Sequence, residues 1–355
     1  MDISPNEPEV SPGFDGENVI TVSAQGELER AILGMVRERV ERGLFRIVST
    51  DDIEDMVVRA IEEVNMAPLV AYATSTILPI RDERVGYTEL ELVISYRKTA
   101  EQITGVRTVQ SGFFVTMLLS EMLHAGESYL AMLGPAEIAN IDVGEFILEQ
   151  YYTRPLEHIV LPRLQTGLYP SSGTGSQRIV VVELDFGVSS LELAWKRAQL
   201  MGAAQEILFT LPEDDEISIQ QQIYYLAEAL AERVAPPLEE EPQADLAELR
   251  PLSTTAFGAL VEGYATSEGY AMAFQALMNL FGVDVHVVQG EREGLRHVWN
   301  IVGIDGYYYH VDVSLFRLLG AEYTLFLSNE IMLNQMGYSW DIRVYPLADG
   351  PMLEW

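Results

Sequence analysis

The chain has 355 residues, 48% of them hydrophobic, and its 54 acidic and 22 basic residues give a formal charge of −32. That balance excludes nucleic acid and anionic membrane surfaces as partners, because phosphate binding rests on clustered Lys and Arg. Cysteine is absent, which excludes disulfides, Cys-ligated zinc and thiol catalysis, and no apolar run approaches the roughly 18 residues of a spanning helix, so no membrane insertion is expected.

Residues 1–24, which open MDISPNEPEVSPGFDGEN, read as a flexible leader without the basic and apolar regions of a signal peptide. Such a start suits a tether behind a removed signal as well as a cytoplasmic chain. Apolar residues at helical spacing then predict a helix over Leu28–Leu44. A pattern follows that recurs: LFRIVSTDDIEDMVVRAIEEVNMAP from Leu44 and YLAMLGPAEIANIDVGEFILEQYYTRP from Tyr129 each hold a short strand, a turn and an amphipathic helix stopped by proline. Each leads into a short apolar stretch, LVAYATSTI or LEHIVLPRL, and a β-rich run, TELELVISYRKT or RIVVVELDFGVS. The order predicts one small α+β unit used twice, over 25–110 and 111–205, at a period of about 85 residues.

SSGTGSQR, residues 171–178, lacks a Walker lysine and precedes a strand, so it reads as a connecting loop. IQQQIYYLAEALAERVAP predicts a helix from Ile219 that is stopped at Pro236 and Pro237, and LEEEPQADLAELR reads as an acidic connector. From Leu252 the texture changes. A helix from about Thr266 to Phe281 leads into DVHVVQG, LRHVWNIVGID and YYYHVDVS, three alternating runs, the last two joined by the hairpin pair Asp305-Gly306.

Counting back from that turn sets Ile304 opposite Tyr307 and Asn300 opposite Val311. His297 and Asp312 then fall at one end of the ladder, about two positions out of register and within diagonal reach. With Ser267 at the helix start, the chain order is nucleophile, base, orienter. Taken singly each has a plainer reading: Ser267 as an N-cap, His297 as a hydrogen-bonded strand residue, Asp312 as a strand carboxylate facing water. His310, on the same side of its strand as Asp312, reads as a surface residue. His124 and His158 have no second ligand at metal spacing, so no metal site is expected. Tyr264 and Trp299 are expected nearest Ser267 as wall or shield, and Tyr307, Tyr308 and Tyr309 divide between sheet core and solvent face.

Three stretches carry a resemblance: TTAFGALVEGYATSEGYAMAFQALMNLFGVDVHVVQG, RHVWNIVGIDGYYYHVDVS and LFLSNEIMLNQMGYSWDIRVYP. Together, over about Ser253–Trp355 with core motifs at 253–345, they resemble the transglutaminase-like family, a branch of the papain-like cysteine peptidase superfamily. The first is similar to the family's nucleophile helix, the second to its His and Asp strands, the third to the closing segment of bacterial members. The resemblance implies a papain-like α+β domain over 206–355, a helix packed on an antiparallel sheet. It implies triad positions Ser267, His297 and Asp312, a cleft with Tyr264, Glu268 and Trp299 that takes a peptide or protein ligand, no cofactor, and export to a bacterial envelope. Oligomeric state is not readable.

One position departs. The family has Cys in a Cys-Glu-Gly-Tyr context, and here Glu268, Gly269 and Tyr270 match while Ser267 stands in the Cys position. A thiol of free pKa about 8.5 ionises beside a helix N-terminus and an imidazolium, whereas a hydroxyl needs concerted proton removal and a well-aimed oxyanion hole. Losing a tuned nucleophile costs on the order of 10⁴ in rate or more. A natural degenerate site, an engineered change and a working serine variant all fit Ser267. The expectation is a pseudoenzyme that serves as a binding or scaffold module. The alternative is a Ser-His-Asp amidase, peptidase or acyl transferase acting on glutamine-like amides.

Overall fold

A computed structural model describes residues 19–48, 52–212, 217–235, 246–319 and 326–351. The protein is α+β. The first apolar period is realised as α1 (Gln25–Glu38), which buries Leu28, Ile32, Met35 and Val36. It ends before Leu44 because Arg39 turns left-handed (φ 55°), and the chain enters β2 (Arg42–Ile47), which buries alternate residues Gly43, Phe45 and Ile47. The expected leader lies outside the described residues over 1–18, and closer to α1 it holds strand β1 (Ile20–Val22), paired in parallel with β2.

Helix α2 (Ile53–Asn65) starts at Asp52, whose side chain accepts from the N–H groups of Glu54 and Asp55. The short helix α3 (Pro68–Ala73) has its proline at the first position, where the missing N–H would have no helical partner anyway. Strands β3 (Thr74–Arg84) and β4 (Tyr87–Tyr96) pair antiparallel and complete a sheet of order β1-β2-β4-β3.

After α4 (Ala100–Thr104) come β5 (Arg107–Thr108), α5 (Gly112–Ala125), β6 (Tyr129–Pro135), α6 (Val143–Thr153), β7 (Arg163–Tyr169) and β8 (Gln177–Asp185). The second sheet runs β5-β6-β8-β7, again with its first pair parallel and its second antiparallel. Strand for strand this is the order of the first sheet, with a helix after the first strand and another after the second in each. Residues 171–176 only join β7 to β8.

By compactness the chain divides into two units. One takes the chain to Leu119 together with Tyr129–Ile141 and Thr166–Glu183, around a core that includes Leu28, Ile32, Phe45, Ile47, Leu90, Leu92 and Ile94. The other takes Ser120–Ser128, Asp142–Gln165 and the chain from Leu184, and so includes α6.

In this second unit α7 (Ser190–Leu208) and α8 (Ile219–Arg233) are capped by Ser189 and Ser218. Most of the predicted acidic connector lies outside the described residues. Helix α9 (Ser267–Phe281) is buried at every position from Ser267 to Met278, its polar Ser267, Glu268 and Gln275 included. It precedes the antiparallel sheet β11-β10-β9-β12, formed by β9 (Val285–Arg292), β10 (Leu295–Ile304), β11 (Tyr307–Val311) and β12 (Tyr338–Trp340). Helices α10 (Val313–Leu319) and α11 (Glu330–Gln335) lie between the last two strands in sequence. Asp305 and Gly306 both take positive φ, 51° and 85°, as a two-residue hairpin demands, and Ile304 faces Tyr307 while Asn300 faces Val311. A Cβ on Gly269 would lie 2.2 Å from the Ser253 carbonyl oxygen, so only glycine lets residues 252–254 cross the start of α9.

Candidate functional site

Ser267 is the first residue of α9, after the N-cap Thr266, whose side chain makes no capping bond. The Ser267 hydroxyl oxygen accepts from the N–H of Val298 on β10, at 2.9 Å. The reason lies in the strand. The β10–β11 ladder ends at Asn300–Val311, so the N–H of Val298 projects past the end of β11, and the start of α9 supplies the missing acceptor. Ser267 is 4% exposed. Among the described residues no hydrogen bond joins Ser267 to His297.

His297 meets Asp312. Its Nε2 lies 2.6 Å from Oδ2 of Asp312, with side-chain exposures of 13% and 1%. Asp312 is not on the strand as expected: β11 ends at Val311, and Asp312 heads α10, its Oδ1 accepting from the Ser314 N–H at 3.1 Å and the Ser314 hydroxyl at 2.6 Å. Oδ2 also accepts from the Tyr338 hydroxyl at 2.6 Å. Burial alone would raise the Asp312 pKa. The facing His297 and the hydrogen bonds from His297, Ser314 and Tyr338 outweigh burial and hold the carboxyl below its ordinary range. The result is an imidazole fixed at one nitrogen by an ionised carboxylate, the arrangement a general base requires.

Around this pair the aromatic residues act as a shield. Trp299 is 1% exposed, stacks against the His297 ring at 6.2 Å and meets Tyr338 edge-on at 5.1 Å, so it backs the imidazole instead of walling an open cleft. Its indole N–H donates to Nδ1 of His310 at 3.0 Å. His310 is therefore no surface residue: it is fully buried under the edge of Trp340, and burial drives its pKa down to about 3. Tyr264 is 39% exposed in the turn before α9, Tyr307 is exposed, and Tyr309 is buried.

Glu268, expected at the cleft, is fully buried behind the site. Arg250 clamps both of its carboxylate oxygens, Oε2 at 2.6 Å from one guanidinium nitrogen, while Arg296 approaches Oε2 at 3.2 Å and the Tyr152 hydroxyl donates to Oε1 at 2.9 Å. Burial and the adjacent carboxylate together raise the Tyr152 pKa, so its proton stays on as donor. Glu268 follows Ser267 and Arg296 precedes His297, so this ion pair ties α9 to β10 beside the two site residues. A carboxylate in the first turn also suits the positive end of the helix.

Sequence reasoning missed Tyr338, Ser314, Arg250, Arg296 and Tyr152. Ser314, two residues after Asp312 at a helix start, carried a turn-and-cap signal; Arg296 is the neighbour of His297 but pairs with Glu268 on another element, and Tyr338, Arg250 and Tyr152 meet the site from distant segments that left no local trace. Among the described residues no cluster of His, Asp and Glu is arranged to hold a metal, and no helix is long and apolar enough to cross a membrane.

No family model matches the chain, and no curated protein does. Among solved structures it is similar to a crystal structure of a TGase, at 11% identity and TM-score 0.30, over 70% of this chain and 67% of that one. A candidate cysteine protease from Cytophaga hutchinsonii matches at 10% identity and TM-score 0.25, over 43% of this chain and 62% of that one. A candidate protease from Parabacteroides distasonis matches at 9% identity and TM-score 0.22, over 76% of this chain and 40% of that one. The chain thus spans from two fifths to two thirds of the length of these structures.

Proposed function

We propose that this chain is a transglutaminase-like protein with Ser267 in the nucleophile position, acting as a protein- or peptide-binding or scaffold module with little or no turnover of its own. One observation carries the reading: the Ser267 hydroxyl is bonded to the backbone N–H of Val298 and not to His297. In a Ser-His-Asp arrangement the serine becomes a nucleophile when the neutral imidazole takes its proton as it attacks, and without that contact the hydroxyl keeps the poor nucleophilicity of a free alcohol. The matching order of elements in 20–96 and 107–185 supports an internal duplication ahead of this site.

The 2.6 Å bond between His297 and Asp312 favours a second reading, a serine amidase or acyl transferase on glutamine-like amides. There Ser267 Oγ would attack the amide carbonyl and pass its proton to His297. The imidazolium would protonate the departing ammonia, and an amine or water would then take the acyl group from the ester. Ammonia release and amine incorporation on glutamine peptides separate the two. Under the first reading native protein is silent and Ser267→Cys turns over. Turnover by native protein that is lost in His297→Ala, with fluorophosphonate labelling of Ser267, establishes the second. Silence from both proteins overturns the reading of a retained catalytic scaffold.

A further inference from the structure

We propose that Tyr338 is a positioning residue of this site, which fixes Asp312 and sets the proton affinity of His297 by sharing the carboxylate oxygen that the imidazole uses. The inference rests on reading His297 and Asp312 as a retained base and orienter. Both donors converge on Oδ2 of Asp312 at 2.6 Å, one from β10 and one from β12, while Oδ1 is taken by Ser314. The tyrosine is 3% exposed, and its ring stands edge-on to both His297, at 5.7 Å, and Trp299. Strand β12 reaches β10 only through β9, where Tyr338 faces Arg292. The phenol thus bridges the sheet to the far end of β11.

The consequence is electrostatic. A hydrogen bond from the phenol disperses charge on Oδ2, so less of it is left to hold a proton on His297. Removing the hydroxyl leaves more charge on Oδ2 and so strengthens its hold on a proton at the imidazole. Other charged or titratable groups around His297 are Asp312 itself, Arg292 over the outer side of the Tyr338 ring, Arg296 with Glu268 on the α9 face, and neutral His310 behind Trp299. Tyr338→Phe leaves each of these in place.

The test is the titration of the His297 ring by NMR in the native chain and in Tyr338→Phe, with thermal unfolding alongside. The variant is expected to titrate about one pH unit higher, with the Asp312-bound tautomer less uniform. An unshifted titration in a folded variant overturns the proposal, even if the melting temperature falls, since a purely structural tyrosine would give that result. If Tyr338→Phe does not fold, 3,5-difluorotyrosine placed at 338 alone serves instead. Its more acidic phenol donates more strongly, so the His297 pKa should drop, and no change overturns the proposal equally. No turnover is measured, so failure here is separate from failure of the functional reading, which the Ser267→Cys assay decides.

Discussion

The first sheet and the last spend their buried positions differently. In β4 every second residue from Thr88 to Ile94 is buried, and apart from Thr88 these are apolar. In β10 the run Val298–Val302 is buried without a break, and buried polar residues gather around it: Ser267, Glu268, Asn300, His310, Asp312, Ser314 and Ser328. Burying polar groups costs free energy unless each is paired, so a region that concentrates them depends on a dense set of partners. The sheet with one clean apolar face reads as scaffold, and the sheet with a polar core reads as a site.

That contrast is broken most severely at Glu268. Glu268→Ala removes the carboxylate that Arg250, itself only 3% exposed, clamps with both guanidinium nitrogens, and is expected to cost about 3–5 kcal/mol in denaturant unfolding. A loss below 1 kcal/mol would mean that the cluster is solvated and the polar core less demanding than described.

Acid sharpens the comparison next. His310 is held neutral far below its ordinary pKa of 6.5, at about 3, so the unfolded chain takes up the proton first. The associated stability is present above about pH 6.5 and lost as pH falls toward about 3, at about 1.4 kcal/mol per pH unit. His158, lowered to about 4, titrates in the same direction, and Asp312, with its lowered carboxyl, adds a loss only below its usual range. Urea unfolding of native protein and His310→Gln between pH 7 and 4 should therefore differ in slope by that one histidine. Parallel curves would refute its burial.

Ser267→Ala leaves the Val298 N–H buried and unpaired, an expected loss of about 1–3 kcal/mol, whereas Ser267→Cys retains a weak acceptor and should lose less. Equal losses would show that the bond contributes nothing. The smallest effect belongs to the first sheet: Arg42→Ala breaks an exposed pair with Glu91 and should change stability by less than about 1 kcal/mol.

The β10–β11 register was legible because an Asp-Gly turn of two residues leaves one way to count, and the count brought His297 to Asp312. The end of β11 was not: alternation continues through YYYHVDVS, yet Asp312 leaves the ladder because its carboxylate caps α10. His310 was misread for a related cause, since alternation tells which residues share a face and says nothing of whether that face is covered. Here Trp299 and Trp340 cover it.

By itself, then, the sequence determined the helix that begins at Ser267 and the hairpin that joins β10 to β11. Each is set by neighbours within a few residues, through hydrophobic period, capping and turn chemistry. Only the tertiary structure decided what Ser267 bonds, where Glu268 points and that Tyr338 reaches Asp312. Those contacts join residues 18 or more positions apart, from Arg250 and Glu268 at 18 to Tyr338 and Asp312 at 26 and Ser267 and Val298 at 31. They depend on the strand order β11-β10-β9-β12 and on which edge amide is left over when a ladder ends, and no local pattern encodes either.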